Sequence, residues 1–279
     1  MIKRNYGPIF LLAAAIFWSL GGMFTKSVSW DGVSIATGRG LVAFLLIPLI
    51  CRRIPKNLNR IKLATAFCYF AQGTLYILAN KYTTAANAVM LQYTLPLYII
   101  LFTTIATRTL PAGRDILTTI ILLGGIFLAF LGTMESGGML GNFLGLASGL
   151  FYAGVFYLSR QPGADTVDSM ILGNGMYLLL LPYVLQNEVV RSAPMSDLGM
   201  VVMFGLVASV MAWLCFAKGI QTTPALKASF ITMIEPVMAP IWTFVLLGET
   251  VTLCSLLGFV VVIVTLTIYN TRQPSEEPS

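Results

Sequence analysis

Long apolar stretches follow one another along almost the whole chain, separated by short polar connections. A transmembrane helix needs about 20 mostly apolar residues, because each residue rises about 1.5 Å across roughly 30 Å of hydrocarbon. The pattern therefore predicts an all-α membrane protein with ten spans, numbered 1 to 10 in chain order. They lie near residues 7–26, 32–50, 61–80, 85–107, 114–132, 140–160, 168–187, 197–218, 225–246 and 252–270.

The composition supports the membrane class and removes several others. The chain is 57% hydrophobic and 10% charged, whereas soluble domains carry about 25% charged residues. It contains no histidine, and its four cysteines lack the spacing of a metal or redox motif. We therefore expect no metal and no cofactor. The net charge of +6 comes from residues between apolar runs, so we expect a lipid bilayer and no nucleic acid as partner.

The basic residues predict an orientation. An even number of spans places both termini on one side, and most Lys and Arg of the connections lie on that same side. The positive-inside rule makes it the cytoplasm. The predicted outer side holds only Lys26, Lys81 and Arg191. The polar, Pro-rich tail at 271–279 is expected to be disordered and cytoplasmic.

The two halves of the chain resemble each other. Residues 81–98 match 221–238, with Pro96 opposite Pro236. A second set pairs Trp18 with Tyr152, Asp31 with Asp165 and Pro48 with Pro182. The sequence thus predicts one repeat at 1–134 (spans 1–5) and another at 135–270 (spans 6–10). Since five is odd, the second repeat is inverted, an architecture typical of alternating-access carriers. The alternative is that duplication only built a larger bundle.

Polar residues inside the spans are the candidate functional residues, because exposing them to lipid is costly. Gln72, Tyr76 and Asn80 follow at intervals of four in span 3, so they share one helix face. The stripe predicts a substrate-binding surface; helix–helix hydrogen bonding is the alternative.

Two prolines mark a second group. Gln92 and Tyr93 precede Pro96 in span 4, and Glu235 directly precedes Pro236 in span 9. Each proline leaves a backbone carbonyl unpartnered, which at membrane depth is tolerated where the backbone is buried in protein or lines a cavity. We expect both helices to loosen near the midplane, with Glu235 facing the interior.

A charged pair is a candidate for coupling or gating. Arg39 is the basic residue well inside a span and the expected partner of Glu235 by charge. A proton-coupled carrier could use Glu235 as its titrating group; a structural ion pair or a helix-end contact is the alternative. Pro96 and Pro236 belong to the same candidate set.

Aromatic and glycine residues complete the candidates. Trp18, Tyr152 and Trp213 offer rings for stacking and cation–π contacts, or serve as packing or interfacial anchors. The small-residue face Gly141-x3-Gly145-x3-Gly149 predicts close packing within the bundle. A dimer face is the alternative, so we expect a monomer or a weak dimer.

Residues 212–250 resemble the EamA-type repeat of the drug/metabolite transporter superfamily, through Glu235-Pro236 and Leu247-Gly248-Glu249. The first half is similar but has Arg108-Thr109 at the Gly-Glu position, and Arg39 lies where the family often has an arginine. The resemblance implies ten helices in two inverted repeats in a bacterial plasma membrane. It places a central cavity mainly among spans 1, 3, 4, 6, 8 and 9.

Together these features predict a small-molecule transporter, an exporter of amino acids or similar amphipathic metabolites. A drug or quaternary-amine exporter of the same fold is one alternative, and a non-transporting receptor or scaffold is another. An enzyme is not expected, because Glu235 is a lone carboxylate and histidine is absent.

Overall fold

The computed structural model describes residues 6–131, 138–238, 241–242 and 252–271. Within these ranges the chain is helical and contains no strand. The helices are α1 (Gly7–Ser19), α2 (Gly21–Lys26), α3 (Gly32–Cys51), α4 (Arg60–Tyr82), α5 (Ala85–Gln92), α6 (Leu95–Thr107), α7 (Gly113–Phe130), α8 (Met139–Leu158), α9 (Thr166–Gly175), α10 (Leu181–Gln186), α11 (Glu188–Ser192), α12 (Met195–Phe204), α13 (Ala212–Ile220), α14 (Ala225–Thr232) and α15 (Leu253–Thr271).

Eight helical segments within the described residues are long and apolar enough to cross a membrane. They correspond to spans 1 to 8, with ends that differ from the predicted ones by no more than two residues. Their bounds are Gly7–Lys26, Gly32–Cys51, Arg60–Tyr82, Asn87–Thr107, Gly113–Phe130, Met139–Leu158, Thr166–Gln186 and Met195–Ile220. The chain is therefore a multi-pass membrane protein.

The last two predicted spans are described less fully. Predicted span 9 begins with α14, and part of its predicted range lies outside the described residues. Predicted span 10 contains a shorter apolar helix at Leu253–Tyr269. The predicted domain boundary at 134/135, the Leu247-Gly248-Glu249 motif and the tail from 272 onward lie outside the described residues. The count of ten spans stays a prediction.

An aspartate caps the first helix of the second span in each predicted repeat. The Asp31 carboxylate accepts hydrogen bonds from the N–H groups of Val33 and Ser34 and so caps α3. Asp165 accepts from the N–H of Asp168 and caps α9. Capping satisfies N–H groups that have no partner within a helix. The predicted repeat mates Asp31 and Asp165 thus have the same local role.

Spans 4 and 9 are both interrupted just before their prolines. In span 4, α5 ends at Gln92 and α6 begins at Leu95. In span 9, α14 ends at Thr232 and helical backbone resumes at Glu235. Because proline lacks an N–H and clashes with the preceding turn, the helix restarts with proline in its first turn. The expected loosening is present at both positions.

Spans 7 and 8 also depart from regular α-helix. In span 7 the residues Met176–Leu180 form a 3-10 turn between α9 and α10. In span 8 the residues Gly205–Met211 are π-helical. π-helical turns insert one residue into a helix and shift every side chain beyond them around the axis. The pattern of apolar residues predicts neither feature.

Packing across the two halves holds the bundle together. α4 packs along α8, α1 along α13 and α7 along α15. The glycines of α8 lie against the α4–α5 connection and along α5: a Cβ on Gly141 would lie 2.6 Å from Thr83 N, and one on Gly149 would lie 2.8 Å from Gln92 O at the end of α5. Within the described chain these glycines therefore pack inside the bundle.

Candidate functional site

A small polar cavity lies in the interior where spans 1, 2, 3, 4, 6, 8 and 9 meet. Its volume is about 30 Å³, enough for water-sized groups but far below the roughly 300 Å³ of typical small-molecule sites. Its walls combine rings, amides, one guanidinium and one carboxyl group. The lining residues are Trp18, Gly21, Arg39, Gln72, Tyr76, Gln92, Tyr152, Phe204, Ala208, Trp213 and Glu235.

Aromatic rings from three spans touch one another at one side of the cavity. The ring centroid of Trp18 lies 4.8 Å from that of Trp213 and 5.8 Å from that of Tyr152, both edge to face. Tyr152 and Trp213 are 6.1 Å apart. Such contacts are the favoured geometry for aromatic pairs. The predicted repeat mates Trp18 and Tyr152 therefore meet directly.

Amides and a hydroxyl form a second wall. Gln72 Nε2 donates to Gln92 Oε1 at 3.4 Å, and Ser148 Oγ donates to the same oxygen at 2.8 Å. Ser148 Oγ also lies 3.2 Å from the Gln72 carbonyl. All three side chains are buried, so each needs a partner. The network orients the amides of spans 3 and 4 toward the cavity.

Glu235 is buried and bound from the opposite half of the chain. Tyr93 Oη lies 2.5 Å from Glu235 Oε2 and 2.9 Å from the Thr232 carbonyl. In a regular helix that carbonyl would accept from residue 236, which is a proline without an N–H. A tyrosine of span 4 thus serves both the carboxyl group and the break in span 9.

Arg39 reaches the cavity from span 2. Its Nη1 donates to Ser209 Oγ at 3.2 Å and its Nη2 to the Gly73 carbonyl at 3.1 Å. Its guanidinium carbon lies 5.2 Å from the centre of the Phe204 ring, within cation–π range. The Nε is buried and lacks a hydrogen-bond partner. Since arginine has five donors, the group can bind a further acceptor.

The expected ion pair between Arg39 and Glu235 is not formed. Both line the same cavity, but the ion pairs of the described residues do not join them. Each instead binds neutral groups: hydroxyl and carbonyl for the guanidinium, phenol for the carboxyl. The cavity therefore presents a cationic and an acidic group that are separately available.

Four predicted site residues lie outside the cavity wall. Asn80 turns back to donate to the Tyr76 carbonyl at 2.8 Å, because a short amide readily bonds the carbonyl one turn earlier. Tyr93 is fully buried behind Glu235. Pro96 and Pro236 restart their helices and contribute backbone geometry, not lining surface.

Three residues that line the cavity were not predicted from the sequence: Gly21, Phe204 and Ala208. In a regular α-helix, Ala208 and Trp213 are five apart and point in different directions. The π-helical turn at Gly205–Met211 brings them to one cavity. Gly21 carries no side chain that sequence reasoning could have noticed.

Charged groups join the halves at the predicted cytoplasmic end. Arg53 Nη2 lies 2.5 Å from carboxylate oxygens of Asp165 and Asp168, and Lys62 Nζ lies 2.7 Å from Asp168. Burial opposes the charge of Asp165, but hydrogen bonds from Arg53 and from the Asp168 N–H hold its pKa below the ordinary value. The hydrogen bond to Asp165 raises the pKa of Arg53. We call these four residues the ionic latch.

At the opposite end of the bundle, hydrogen bonds from uncharged donors connect the two halves. Asn187 Nδ2 donates to Asp31 Oδ2 at 2.6 Å. The Ser29 N–H and hydroxyl donate to Asp197 Oδ2 at 2.9 and 2.5 Å. The contacts between the halves thus differ at the two ends. Ion pairs join them at the ionic latch, whereas Asp31 and Asp197 accept hydrogen bonds from uncharged groups at the other end.

A multi-pass helical bundle with helix breaks around a buried polar cavity is the architecture of a membrane carrier. The chain belongs to the EamA-like transporter family, whose model matches residues 5–131 and 139–271. This confirms the resemblance to the drug/metabolite transporter superfamily carried by Glu235-Pro236.

Relatives named as uncharacterized transporters align over nearly the whole chain. One from Archaeoglobus fulgidus is 27% identical and covers 91% of this chain and 92% of its own. YcbK of Bacillus subtilis is 24% identical, with 90% and 88% covered. A crystal structure at 15% identity superposes with a TM-score of 0.80 over 97% of this chain and all of its own, which supports the fold alone.

Proposed function

We propose that the protein is an alternating-access secondary transporter that exports amino acids or similar small amphipathic metabolites. In this proposal ten spans form two inverted five-helix repeats around the cavity. The double match to the family model and the matching helix breaks before Pro96 and Pro236 support that arrangement. Both termini lie in the cytoplasm of a bacterial cell, as the distribution of basic residues favours.

One observation carries the choice of substrate class. Arg39 and Glu235 line one cavity without pairing with each other. A buried charge needs a partner of opposite sign or strong hydrogen bonds. An amino acid supplies both partners at once, its carboxylate for Arg39 and its ammonium group for Glu235. The amides of Gln72 and Gln92 and the rings of Trp18, Tyr76, Tyr152 and Trp213 suit the rest of such a molecule.

The size of the cavity supports a moving carrier. At about 30 Å³ it is too small for a metabolite, so the surrounding spans must separate to admit one. The two ends of the bundle are closed by different contacts, the ionic latch and the hydrogen bonds of Asp31 and Asp197. Opening one end while the other stays closed is what alternating access requires.

A drug or quaternary-amine exporter is the second candidate. The rings of Trp18, Tyr76, Tyr152 and Trp213 with the carboxyl group of Glu235 form a site in which an organic cation could bind. Such a substrate has no carboxylate and needs nothing from Arg39. The guanidinium therefore separates the two candidates.

The test is flux in proteoliposomes that contain the purified protein. Candidate solutes are first chosen by thermal stabilisation, since a ligand that binds only the folded protein raises its apparent stability. The panel includes amino acids, amines, nucleosides and sugars. We expect an amino acid to stabilise the protein and to exchange across the vesicle membrane. Stabilisation and flux with quaternary amines alone would select the second candidate; no flux with any solute would contradict a transporter.

Variants of the two charged residues sharpen the choice. Arg39→Gln should abolish exchange of an amino acid and spare exchange of an organic cation, whereas Glu235→Gln should impair both. Arg39→Lys keeps the charge and controls for packing. Thermal unfolding of each variant separates loss of function from loss of fold. An Arg39→Gln protein that is stable and exchanges amino acids at the normal rate would contradict the zwitterion site.

A further inference from the structure

A surface groove lies near the ionic latch, apart from the central cavity. Its volume is about 650 Å³. It runs between α3, the connection at 52–59 and residues 171–179 in the middle of span 7. Its lining is almost wholly apolar: Phe44, Pro48, Ile54, Pro55, Leu58, Ile171, Leu172, Gly175, Met176 and Leu179. A groove of this size accommodates an acyl chain.

The connection itself contributes apolar side chains to the surface. Ile54 is 74% exposed and Leu58 is 59% exposed, although both follow the end of span 2. Because both also line the groove, they form one contiguous apolar surface with it, and contiguous apolar patches mark interaction surfaces. Their position at the end of a span places them at the boundary between hydrocarbon and lipid headgroups.

Basic residues accompany these apolar ones. Residues 52–60 read RRIPKNLNR and contain four basic residues and no acidic one. Arg53 is held by the ionic latch. Arg52, Lys56 and Arg60 are exposed, and the ion pairs of the described chain involve none of them. Three cations therefore remain available beside an acyl-sized groove.

The corresponding connection of the other half lacks this pattern. Residues 187–197, between spans 7 and 8, contain Arg191 but also the acidic Glu188 and Asp197. The positive-inside rule gives a cytoplasmic connection more basic residues than an outer one, so this charge difference agrees with the predicted cytoplasmic position of the 52–60 segment. Anionic lipid headgroups attract basic residues at that surface.

We propose that the groove and these three cations form a binding site for one anionic phospholipid. An acyl chain lies along Ile54, Leu172 and Leu179, and the headgroup phosphate binds Arg52, Lys56 and Arg60. Basic pockets between spans on the cytoplasmic side bind anionic headgroups by the same chemistry. Because the 52–60 segment also carries Arg53 of the ionic latch, a bound lipid would strengthen the closed end of the bundle.

Lipid binding to the purified full-length protein in detergent tests the proposal. Native mass spectrometry compares phosphatidylglycerol with phosphatidylcholine of the same acyl chains. We expect phosphatidylglycerol to bind at least tenfold more tightly and its affinity to fall with added salt. Lys56→Gln with Arg60→Gln should weaken phosphatidylglycerol by about 10- to 30-fold, since each cation at a membrane surface is worth about fivefold.

Matched controls separate this site from general basic charge. Arg108→Gln with Arg114→Gln removes two exposed cations from the same predicted cytoplasmic side. This pair should leave the affinity for phosphatidylglycerol unchanged. Leu179→Trp fills the groove and should weaken both lipids, whereas Ile105→Trp on the exposed surface of α6 should weaken neither. The Leu179→Trp and salt measurements decide the question even if the charge variants fail to insert.

Three results would overturn the proposal. The first is equal affinity for the two lipids in the native protein. The second is an equal loss in both pairs of charge variants, which would indicate general electrostatics. The third is displacement of phosphatidylglycerol by millimolar inorganic phosphate, which would assign the three cations to a free anion instead of a lipid.

Discussion

Tyr93 Oη lies 2.5 Å from Glu235 Oε2 and 2.9 Å from the Thr232 carbonyl, and so connects span 4 to the break in span 9. The phenol has one proton for two acceptors. If Glu235 carries a proton, it can donate to Tyr93, and the phenol then donates to Thr232. If Glu235 is ionised, the carboxylate and the carbonyl compete for one donor. The protonation of Glu235 and the geometry of the break are therefore linked.

Replacing Tyr93 by phenylalanine should damage the fold and transport together. The Thr232 carbonyl and the Glu235 carboxyl group lose a buried donor, and an unsatisfied buried acceptor costs about 1–3 kcal/mol. Thermal unfolding in detergent and flux in proteoliposomes measure both effects. Tyr98→Phe, a tyrosine on α6 that lies outside the cavity wall, is the control. A Tyr93→Phe protein with native stability and native flux would show that the contact is dispensable.

Glu235→Gln should leave insertion and folding intact. The glutamine amide can donate to Tyr93 and frees the phenol for Thr232, so the hydrogen bonds around the break persist. Substrate flux should fall, and any dependence of flux on pH should disappear if the carboxyl group titrates during transport. Rates across a pH series in proteoliposomes, for this variant and the native protein, give the answer. Coincident rates and coincident pH profiles would reject a coupling role.

Tyr76→Ala should weaken substrate binding without loss of expression. The ring lines the cavity, and an aromatic contact contributes roughly two- to tenfold to affinity. The matched control is Tyr82→Ala, which removes an exposed ring from the end of the same helix. Affinity is measured by thermal stabilisation against ligand concentration. If the two variants bind the ligand equally well, the substrate site lies elsewhere.

Within the ionic latch, Asp168→Asn should lower the free energy of unfolding far more than Asp165→Asn. Asp168 is 1% exposed and faces Lys62, which is 10% exposed. Asp168→Asn leaves that buried ammonium group without its carboxylate, at a cost of about 3–5 kcal/mol. Asp165 and Arg53 are 30% and 39% exposed, so Asp165→Asn should cost at most about 1 kcal/mol. Equal losses of unfolding free energy would contradict this account.

The same latch predicts the direction of one pH effect. The pKa of Asp165 is lowered in the folded protein, so its contribution to stability is complete above the unfolded pKa. The contribution is lost as the pH falls through the lowered value, below about 4. The Asp165→Asn protein should lack this small acid-side decrease, whereas the native protein should show it in thermal unfolding at successive pH values.

Much of this architecture is readable in the sequence because the bilayer imposes simple rules. The thickness of the hydrocarbon layer determines the length of each span. Pro96 and Pro236 predict the helix breaks at Gln92–Leu95 and Thr232–Glu235. Polar residues inside spans point to Gln72, Gln92 and Glu235, since lipid exposure would be costly.

The remaining features depend on three-dimensional contacts that no local pattern encodes. By charge alone Arg39 is the expected partner of Glu235, but its guanidinium donates to Ser209 and to the Gly73 carbonyl and forms no ion pair with the carboxyl group. The π-helical turn that turns Ala208 and Trp213 toward one cavity has no signature in hydrophobicity. The lining glycine Gly21 is recognised only once its neighbours are placed.

Gly149→Ala should distort the cavity by displacing the end of α5. A Cβ at this position would lie 2.8 Å from the Gln92 carbonyl and 3.1 Å from the Leu91 carbonyl. These are backbone atoms, so the end of α5 must shift, and overpacking of this kind costs about 1–3 kcal/mol. Gly124→Ala, whose Cβ would meet nothing within 4 Å, is the control. Because Gln92 lines the cavity, we expect Gly149→Ala to lower both the unfolding temperature and substrate affinity. If both alanine variants match the native protein in these measurements, the close approach of α8 to α5 does not position the site.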